Sequence, residues 1–524
     1  MLIFIPMAGF GDRYIKAGYV EPKPLILVDG VPMIERVIAG FRAGVPDAKF
    51  LFCINAKHAA LPAVREALER AAPGSPVIVI DPHKDGPVRT LIDCEAHIPD
   101  GEDVVLNYCD FGADWSFAEF RAWIAERGWD GAMTAYRGFH PHSLGPTLYA
   151  YMRNEGERVT EIREKHHFTP NKLEEYASSG LYYFKSGAEM KRLAHELVRR
   201  GERVNGEFYV SMMMQLLIEG GGKVGVHPLR HFYQWGTPED LRDFESWLLA
   251  MRRFPAFAEE AAKFPSRAVQ VIPMAGRGQR FVDQGYAEPK PFIPVGGEPM
   301  IARALACLPK PVRGERNLVV QREHAESERF RGMAASLGGR VITLDRITDG
   351  QACTALIGLE GVSDDDPVLF APCDAGYVYD PAARQRLEED GQYDAIVWTA
   401  RGHLPAIWRP QMYGWVEVEG VRVRRAAVKE VVPGAAPSAQ EVMTGTFWFR
   451  DAATFRREEK AMEAANDRVN GEFHIDTIIK RMVAAGAKVA AFTVDKYIPW
   501  GTPEELRTFD YYAEVTKLFE PRAP

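Results

Sequence analysis

Apolar residues along this chain of 524 residues gather in short runs that are hydrophobic on nearly every position, separated by longer amphipathic stretches. The runs of the first half are LIFIP, KFLFCI, PVIVI and DVVLNY; those of the second are VQVIP, NLVVQ, RVITL and PVLFA. Runs this short predict strands buried on both faces, whereas segments such as VPMIERVIAGFRAG and EPMIARALACL predict helices between them. Strands alternating with helices predict an α/β fold with a mostly parallel sheet, whose ligands bind at the carboxyl ends of the strands. The opening MLIFIPMAG has no basic residue ahead of its apolar run and enters a glycine turn. It is read as a first buried strand and not as a signal peptide, which implies a cytoplasmic protein.

The pattern is written twice. IPMAGFGDRYIKAGYVEPKPLILVDGVPMI recurs as IPMAGRGQRFVDQGYAEPKPFIPVGGEPMI, setting Gly9 on Gly276, Arg13 on Arg280 and Lys23 on Lys290 at a separation of 267 residues. The separation then barely drifts: 264 between Asp110 and Asp374, and 265 between Gly180 and Gly445. Asn205-Gly206-Glu207-Phe208 returns as Asn470-Gly471-Glu472-Phe473, and Trp235-Gly236-Thr237-Pro238-Glu239 as Trp500-Gly501-Thr502-Pro503-Glu504. So long a period implies duplication of a whole domain, since solenoid repeats recur many times at shorter periods. The stretch RRFPAFAEEAAKFPSR reads as the junction. Domains are therefore expected at residues 1–253 and 267–524, with a linker at 254–266.

Composition narrows the function. The chain is 46% hydrophobic and 26% charged, and no run approaches the roughly 20 apolar residues of a membrane span. A net charge of −8 offers no basic field for a nucleic-acid backbone, although a local phosphate pocket can still be cationic. Six cysteines lack CxxC spacing and read as buried packing residues rather than disulfides or zinc ligands.

The repeated segment carries the chemistry. Gly9 and Gly11 follow a strand, where glycines let backbone N–H groups approach an anion, and Arg13 adds a forked, permanently charged donor. A few residues on, Glu21-Pro22-Lys23-Pro24 fixes a lysine between two prolines, which suggests phosphate neutralisation. The third glycine of a Rossmann fingerprint and the Gly-Lys-Ser/Thr of a P-loop are both missing. Asp110 and Asp374 end apolar strands in LNYCDFG and FAPCDAG.

Taken in order, GxGxR, PKP, a strand ending in Cys-Asp, a Glu-Lys or Lys-Glu, a glycine-bearing strand and a GTPE turn resemble the sugar-1-phosphate nucleotidyltransferases, including their cytidylyltransferase relatives. The resemblance spans each copy almost end to end and implies two tandem Rossmann-like, GT-A-like domains. It implies that Gly9, Gly11 and Arg13, with Gly276, Gly278 and Arg280, cradle a nucleoside triphosphate, and that Lys23 and Lys290 neutralise its α-phosphate. Gly86, Gly350 and Gln351 fall where the family reads the base. Asp110 and Asp374 match its magnesium-binding aspartate. Lys165 and Lys429 fall where the acceptor's phosphate is held, with Gly180, Gly445, Glu207 and Glu472 on the acceptor side. Mg²⁺ is the implied cofactor, a nucleoside triphosphate and a phosphorylated small molecule are the implied partners, and homo-oligomerisation is left open. The resemblance further points to precursors of capsule or lipopolysaccharide-type surface polysaccharides.

One departure stands out. Many members carry a second metal-binding acid just before the GT turn, where this chain has Gln234-Trp235-Gly236-Thr237 and Pro499-Trp500-Gly501-Thr502. Glu207 and Glu472 could replace that acid, or a single aspartate could hold the ion with the nucleotide's own phosphates. Trp235 and Trp500 read as core packing, and His166, His167 and His474 as bystanders. Two rival readings stand: a GT-A type glycosyltransferase, for which Asp110 and Asp114 would be the acids, and a non-catalytic nucleotide-binding or regulatory role for one copy.

Overall fold

The computed structural model describes residues 1–520 and divides into two compact units, Met1–Glu245 and Ser246–Pro524. In the first unit the strands Val77–Ile80, Lys49–Asn55, Leu2–Met7 and Val104–Asn107 lie side by side and parallel. The long strand Tyr176–Phe184 then enters antiparallel between Val104–Asn107 and Gly131–Tyr136. Val224–Pro228 runs parallel to Gly131–Tyr136, and Arg158–Arg163 with Tyr151–Glu155 closes the edge as an antiparallel hairpin. All strands of this nine-stranded sheet except Tyr176–Phe184 and Arg158–Arg163 therefore share one direction.

The second unit repeats the order strand for strand: Arg340–Leu344, Arg316–Gln321, Val269–Pro273, Val368–Phe370, Glu441–Phe449, Ala395–Arg401, Val489–Thr493, Arg422–Val428 and Gly414–Glu419. The expectation of two tandem α/β domains with a mostly parallel mixed sheet is borne out. The central strand runs are buried, with Ile3, Phe4, Ile5 and Phe52 in the first unit and Val271, Ile272, Val319 and Phe370 in the second, whereas Val77–Ile80 and Arg340–Leu344, expected to be buried on both faces, are sheet-edge strands and only partly covered. Helices such as Gly187–Arg200 and Ala452–Ala464 cover the sheets with their apolar faces, burying Leu193 and Leu197, or Phe455 and Met462.

The division between the units falls within the helix Pro238–Arg253, ahead of the expected linker at 254–266. The reason is apolar burial. Phe254 packs edge-on to Trp500, and Phe257 packs edge-on to Tyr379, so the Pro-bracketed segment belongs to the second unit's core.

Both long central strands are interrupted at the same place. Register shifts between Ser178 and Tyr182, and between Val397 and Thr399 opposite Met443–Phe447, surround Gly180 and Gly445, which sit at φ of 105° and 87°. Such bulges re-aim a strand beside a site. A side chain at Gly180 would meet the Tyr108 ring at 2.8 Å. Next to each bulge a short antiparallel pair, Phe111–Asp114 with His231–Gln234 and Ala375–Val378 with Lys496–Pro499, brings the GT turn back to the strand-end aspartate. Trp235 and Trp500 are buried beneath these pairs, as expected of core residues.

Gly376 faces the Trp500 ring so closely that an added Cβ would stand 2.6 Å from it, whereas Gly332, within the helix Glu328–Leu337, faces open space. Gly376→Ala is predicted to lower the urea midpoint of the second unit, by about 1–3 kcal/mol of stability. Gly332→Ala should be neutral or raise it, by up to about 1 kcal/mol.

Candidate active site

The proline pair does to each lysine what its chemistry requires. Pro22 ends extended and Lys23 opens a 3₁₀ turn, with Leu25 N–H donating to the Pro22 carbonyl at 2.8 Å; Pro289, Lys290 and Phe292 repeat the arrangement at the same distance. The second glycine of each loop, Gly11 or Gly278, is left-handed at φ of 69° or 62°. Its hydrogen faces the lysine stem: a Cβ on Gly278 would lie 2.9 Å from Lys290 Cβ. The left-handed backbone favours glycine at both positions, and at Gly278 the lysine stem also leaves no room for a side chain.

Each lysine points at the strand-end aspartate. Lys23 Nζ donates to Asp110 Oδ2 at 2.5 Å and to the Gly236 carbonyl at 3.2 Å, and Lys290 forms the same ion pair with Asp374. Burial works to lower the Lys290 pKa, but the facing carboxylate prevails and holds it above the ordinary lysine value. Asp110 and Asp374 are themselves anchored, since their carbonyls accept from Trp235 N–H at 3.1 Å and Trp500 N–H at 2.7 Å. In the first unit the Tyr14 hydroxyl donates to the Trp235 and Thr237 carbonyls at 2.6 and 3.0 Å, holding the GT turn against the loop.

A cleft of about 510 Å³ opens over this pair in the first unit. Its walls bring together Gly9, Gly11, Arg13, Lys23, Gly86, Asp110, Lys165, Gly180 and Glu207, the residues to which the resemblance gave a role in that copy, but not Asp114 of the glycosyltransferase reading. Gly86 stands at φ 93°, and any Cβ there would strike the Phe208 backbone at 2.7 Å, so the loop at Gly86 and the Asn-Gly-Glu-Phe segment are packed backbone to backbone. Asn205 and Gly206, at φ of 50° and 85°, form a two-residue hairpin turn closed by Val204 and Glu207, and Asn470 and Gly471 do the same. Glu207 thereby reaches the cleft beside Tyr209, whose hydroxyl pKa is raised by burial and by that carboxylate.

In the second unit Gly276, Arg280 and Glu472 are exposed, Gly350 is pressed against the Phe473 backbone, and Gln351 opens the following helix. Lys429 donates to the Met412 carbonyl at 2.7 Å, and Gly445 occupies the bulge. His166 and His167 stack on one another, and His474 leads into the helix Ile475–Ala484 with its ring on the Val469 carbonyl.

Lys165 and Lys429 are equivalent by conformation as well as by position. Both take the left-handed backbone, at φ of 54° and 58°, which few non-glycine residues adopt. Lys165 Nζ donates to the Tyr209 hydroxyl at 2.7 Å. Beside it lies a carboxylate that the sequence reading passed over: Glu164 accepts from Ser211 Oγ at 2.6 Å, and burial raises its pKa. The second unit has Val428 where Glu164 stands and Asp476 where Ser211 stands. Asp476 Cγ lies 3.0 Å from where a Cβ on Gly414 would be, and Gly414 is the strand partner of Val428. Its pKa too is raised by burial, against the pull of Lys429. A partly buried acid thus faces each lysine, supplied by a strand end in one copy and by a helix in the other.

A second missed acid follows the GT turn. Glu505, one residue past the repeated GTPE, and Asp374 each have an oxygen 3.2 Å from the point a Cβ on Gly501 would occupy. Burial and then Asp374 raise the Glu505 pKa, and Tyr413 donates to it at 3.2 Å. Asp240 holds the same place in the first unit, but its carboxylate accepts from Thr237 Oγ1 at 2.7 Å. Asp374 and Glu505 are hard oxygen donors around one point, a set that fits a small divalent cation.

Residues 270–429 match the model of the MobA-like NTP transferase domain. That span holds Gly276, Gly278, Arg280, Lys290, Gly350, Gln351, Asp374 and Lys429. No curated protein matches the chain in sequence. Among solved structures, the nucleoside-diphosphate-sugar pyrophosphorylase from Vibrio cholerae RC9 is similar at 22% identity, covering 46% of this chain and 99% of its own, with a TM-score of 0.40. The inositol-1-phosphate CTP transferase from T. maritima is similar at 14% identity, covering 46% of this chain and 90% of its own, with a TM-score of 0.35.

The exchange of Glu164 and Ser211 for Val428 and Asp476 can be run in reverse. Ser211→Asp alone places a second carboxylate against Glu164 and should destabilise the first unit by on the order of 2–3 kcal/mol. A carboxyl raised in the folded state keeps its proton longer there than in the unfolded chain, so the loss should grow as pH rises. Adding Glu164→Val should restore most of the stability. Urea midpoints at pH 6 and pH 8 for the two single variants and the double variant measure this coupling.

Proposed function

We propose that both units transfer a nucleotidyl group from a nucleoside triphosphate to a phosphorylated small-molecule acceptor, such as a sugar 1-phosphate or phosphoalcohol, releasing pyrophosphate. The observation that carries this reading is the ion pair of a proline-clamped lysine with a strand-end aspartate beneath a glycine loop, present in both copies, with an NTP transferase match over the second. In this reading Gly9, Gly11 and Arg13, and Gly276, Gly278 and Arg280, bind the triphosphate. Gly86, Gly350 and Gln351 flank the base. Lys165 and Lys429 hold the acceptor's phosphate, next to Gly180, Glu207, Gly445 and Glu472.

The reaction is an in-line displacement. A phosphate oxygen of the acceptor forms the new bond to the α-phosphorus, the α–β bridging bond breaks, and its electron pair leaves with pyrophosphate. No proton need move and no covalent enzyme intermediate is required, so positioning and charge neutralisation suffice. Lys23 and Lys290 neutralise charge at the α-phosphate. Asp110, and Asp374 with Glu505, would hold Mg²⁺, which when bound supplies a further cation to the phosphates. A nucleotide-activated precursor of a surface polysaccharide made in the cytoplasm is the proposed product class.

The glycosyltransferase reading has less support. Its second acid, Asp114, is turned to His231 at 3.5 Å and Arg230 at 3.7 Å, and Val378 replaces it in the second unit. Pyrophosphate release is to be measured with CTP, UTP, GTP, ATP and dTTP against a panel of sugar 1-phosphates and phosphoalcohols. Lys23→Ala and Lys290→Ala should each cost about 10²–10³-fold in kcat at its own unit. Release with no acceptor dependence, or from neither unit, would overturn the proposal.

A further inference from the structure

The second unit holds a cluster of side chains that the candidate active site does not use. The helix Gln351–Ile357 packs on the helix Ala452–Ala464. Between them Cys353 Sγ lies 3.6 Å from Glu463 Oε1, and Glu459, one helical turn before Glu463, shares that face. The sulfur and an oxygen of each carboxylate all lie within 4.8 Å of one another. Glu459 is completely buried, and neither of its oxygens has a hydrogen-bond partner.

A buried carboxylate without a donor is costly unless a proton or a cation joins it. Burial and then Glu463 push the Glu459 carboxyl up to about 7, against a smaller opposing pull from Cys353 and Lys460, and burial with the two glutamates pushes the Cys353 thiol up to about 12. A cation among them would favour the ionised form of all three groups and supply Glu459 with its missing partner. The first unit has Arg89, Ala194 and Val198 at the equivalent positions, and Arg89 there pairs with Asp93 at 2.9 Å. The cluster therefore belongs to the second copy alone and is not inherited from the shared fold.

The geometry points to a divalent-cation site formed by Cys353, Glu459 and Glu463, of a kind that takes Zn²⁺ or Co²⁺. A thiolate with two carboxylates is a mixed soft and hard set that suits these borderline ions and disfavours Mg²⁺. Three protein ligands leave one position for water. Half-exposed Cys353 and exposed Glu463 provide the way in, while Glu459 forms the floor. The helix that carries Cys353 starts at Gly350 and Gln351, so an ion here would tie that base-side segment to the helix Ala452–Ala464. The existence of this site does not depend on the proposed transfer reaction.

Full-length protein stripped with a chelator is the material for the test. Titration with Co²⁺ should develop a near-ultraviolet thiolate-to-cobalt charge-transfer band at one equivalent, which Zn²⁺ then displaces. Cys353 is the one cysteine that is not buried, so a thiol reagent reads it selectively. One equivalent of Zn²⁺ should slow that modification at least tenfold. Cys353→Ser and Glu459→Ala, the latter restoring the residue of the first copy, should abolish the band, and Asp374→Asn should leave it. Absence of the band, its survival in Cys353→Ser, or a modification rate indifferent to Zn²⁺ would overturn the proposal.

Discussion

A lysine ammonium held against a strand-end aspartate organises both halves of this molecule. The lysine is fixed from one side by two prolines and from another by a left-handed glycine that leaves room for its stem. The aspartate is fixed by its strand and by the backbone of the returning GT turn. The loop, the strand end and the turn come from far-apart parts of each unit, and they converge because the charge pair needs all three. Such a pair is half-buried, where Coulomb attraction is stronger than in bulk water yet exchange with a phosphate or a metal ion is still open.

Divergence between the copies respects charge more closely than it respects residues. Glu164 with Ser211 and Val428 with Asp476 deliver a carboxylate to the same neighbourhood from different elements. Asp240 and Glu505 differ by one methylene, yet Asp240 is engaged by Thr237, while Glu505 leans towards Asp374. The glycine loops, by contrast, hardly change, because backbone conformation leaves them no equivalent.

What could be read from sequence was whatever is written locally. The strand runs, the GxGxR loop, the PKP turn and the aspartates closing apolar strands each depend on residues within a few positions of one another, and duplication displayed them twice. The cleft of the first unit accordingly gathers Gly9, Gly11, Arg13, Lys23 and Asp110 in its walls. What escaped depends on distant pairing. Glu164 and Ser211 are 47 residues apart, and nothing local to either one links them. Glu505 lies one residue past the GTPE repeat, and its approach to Asp374 depends on a strand end 131 residues earlier in the chain. The 254–266 segment looked like a linker because of its prolines, while the burial of Phe254 and Phe257 is set by partners more than a hundred residues away.

The central claim is that the lysine and aspartate pair is a nucleotide site in each copy. Equilibrium titration of the wild-type chain with α,β-methylene analogues of the five nucleotides, in the presence of Mg²⁺, counts those sites directly. Two equivalents bound per chain, falling to one in either Asp110→Lys or Asp374→Lys and to none in the double variant, is the expected result. Undiminished binding in the double variant, or no binding of any analogue to the wild type, would contradict it.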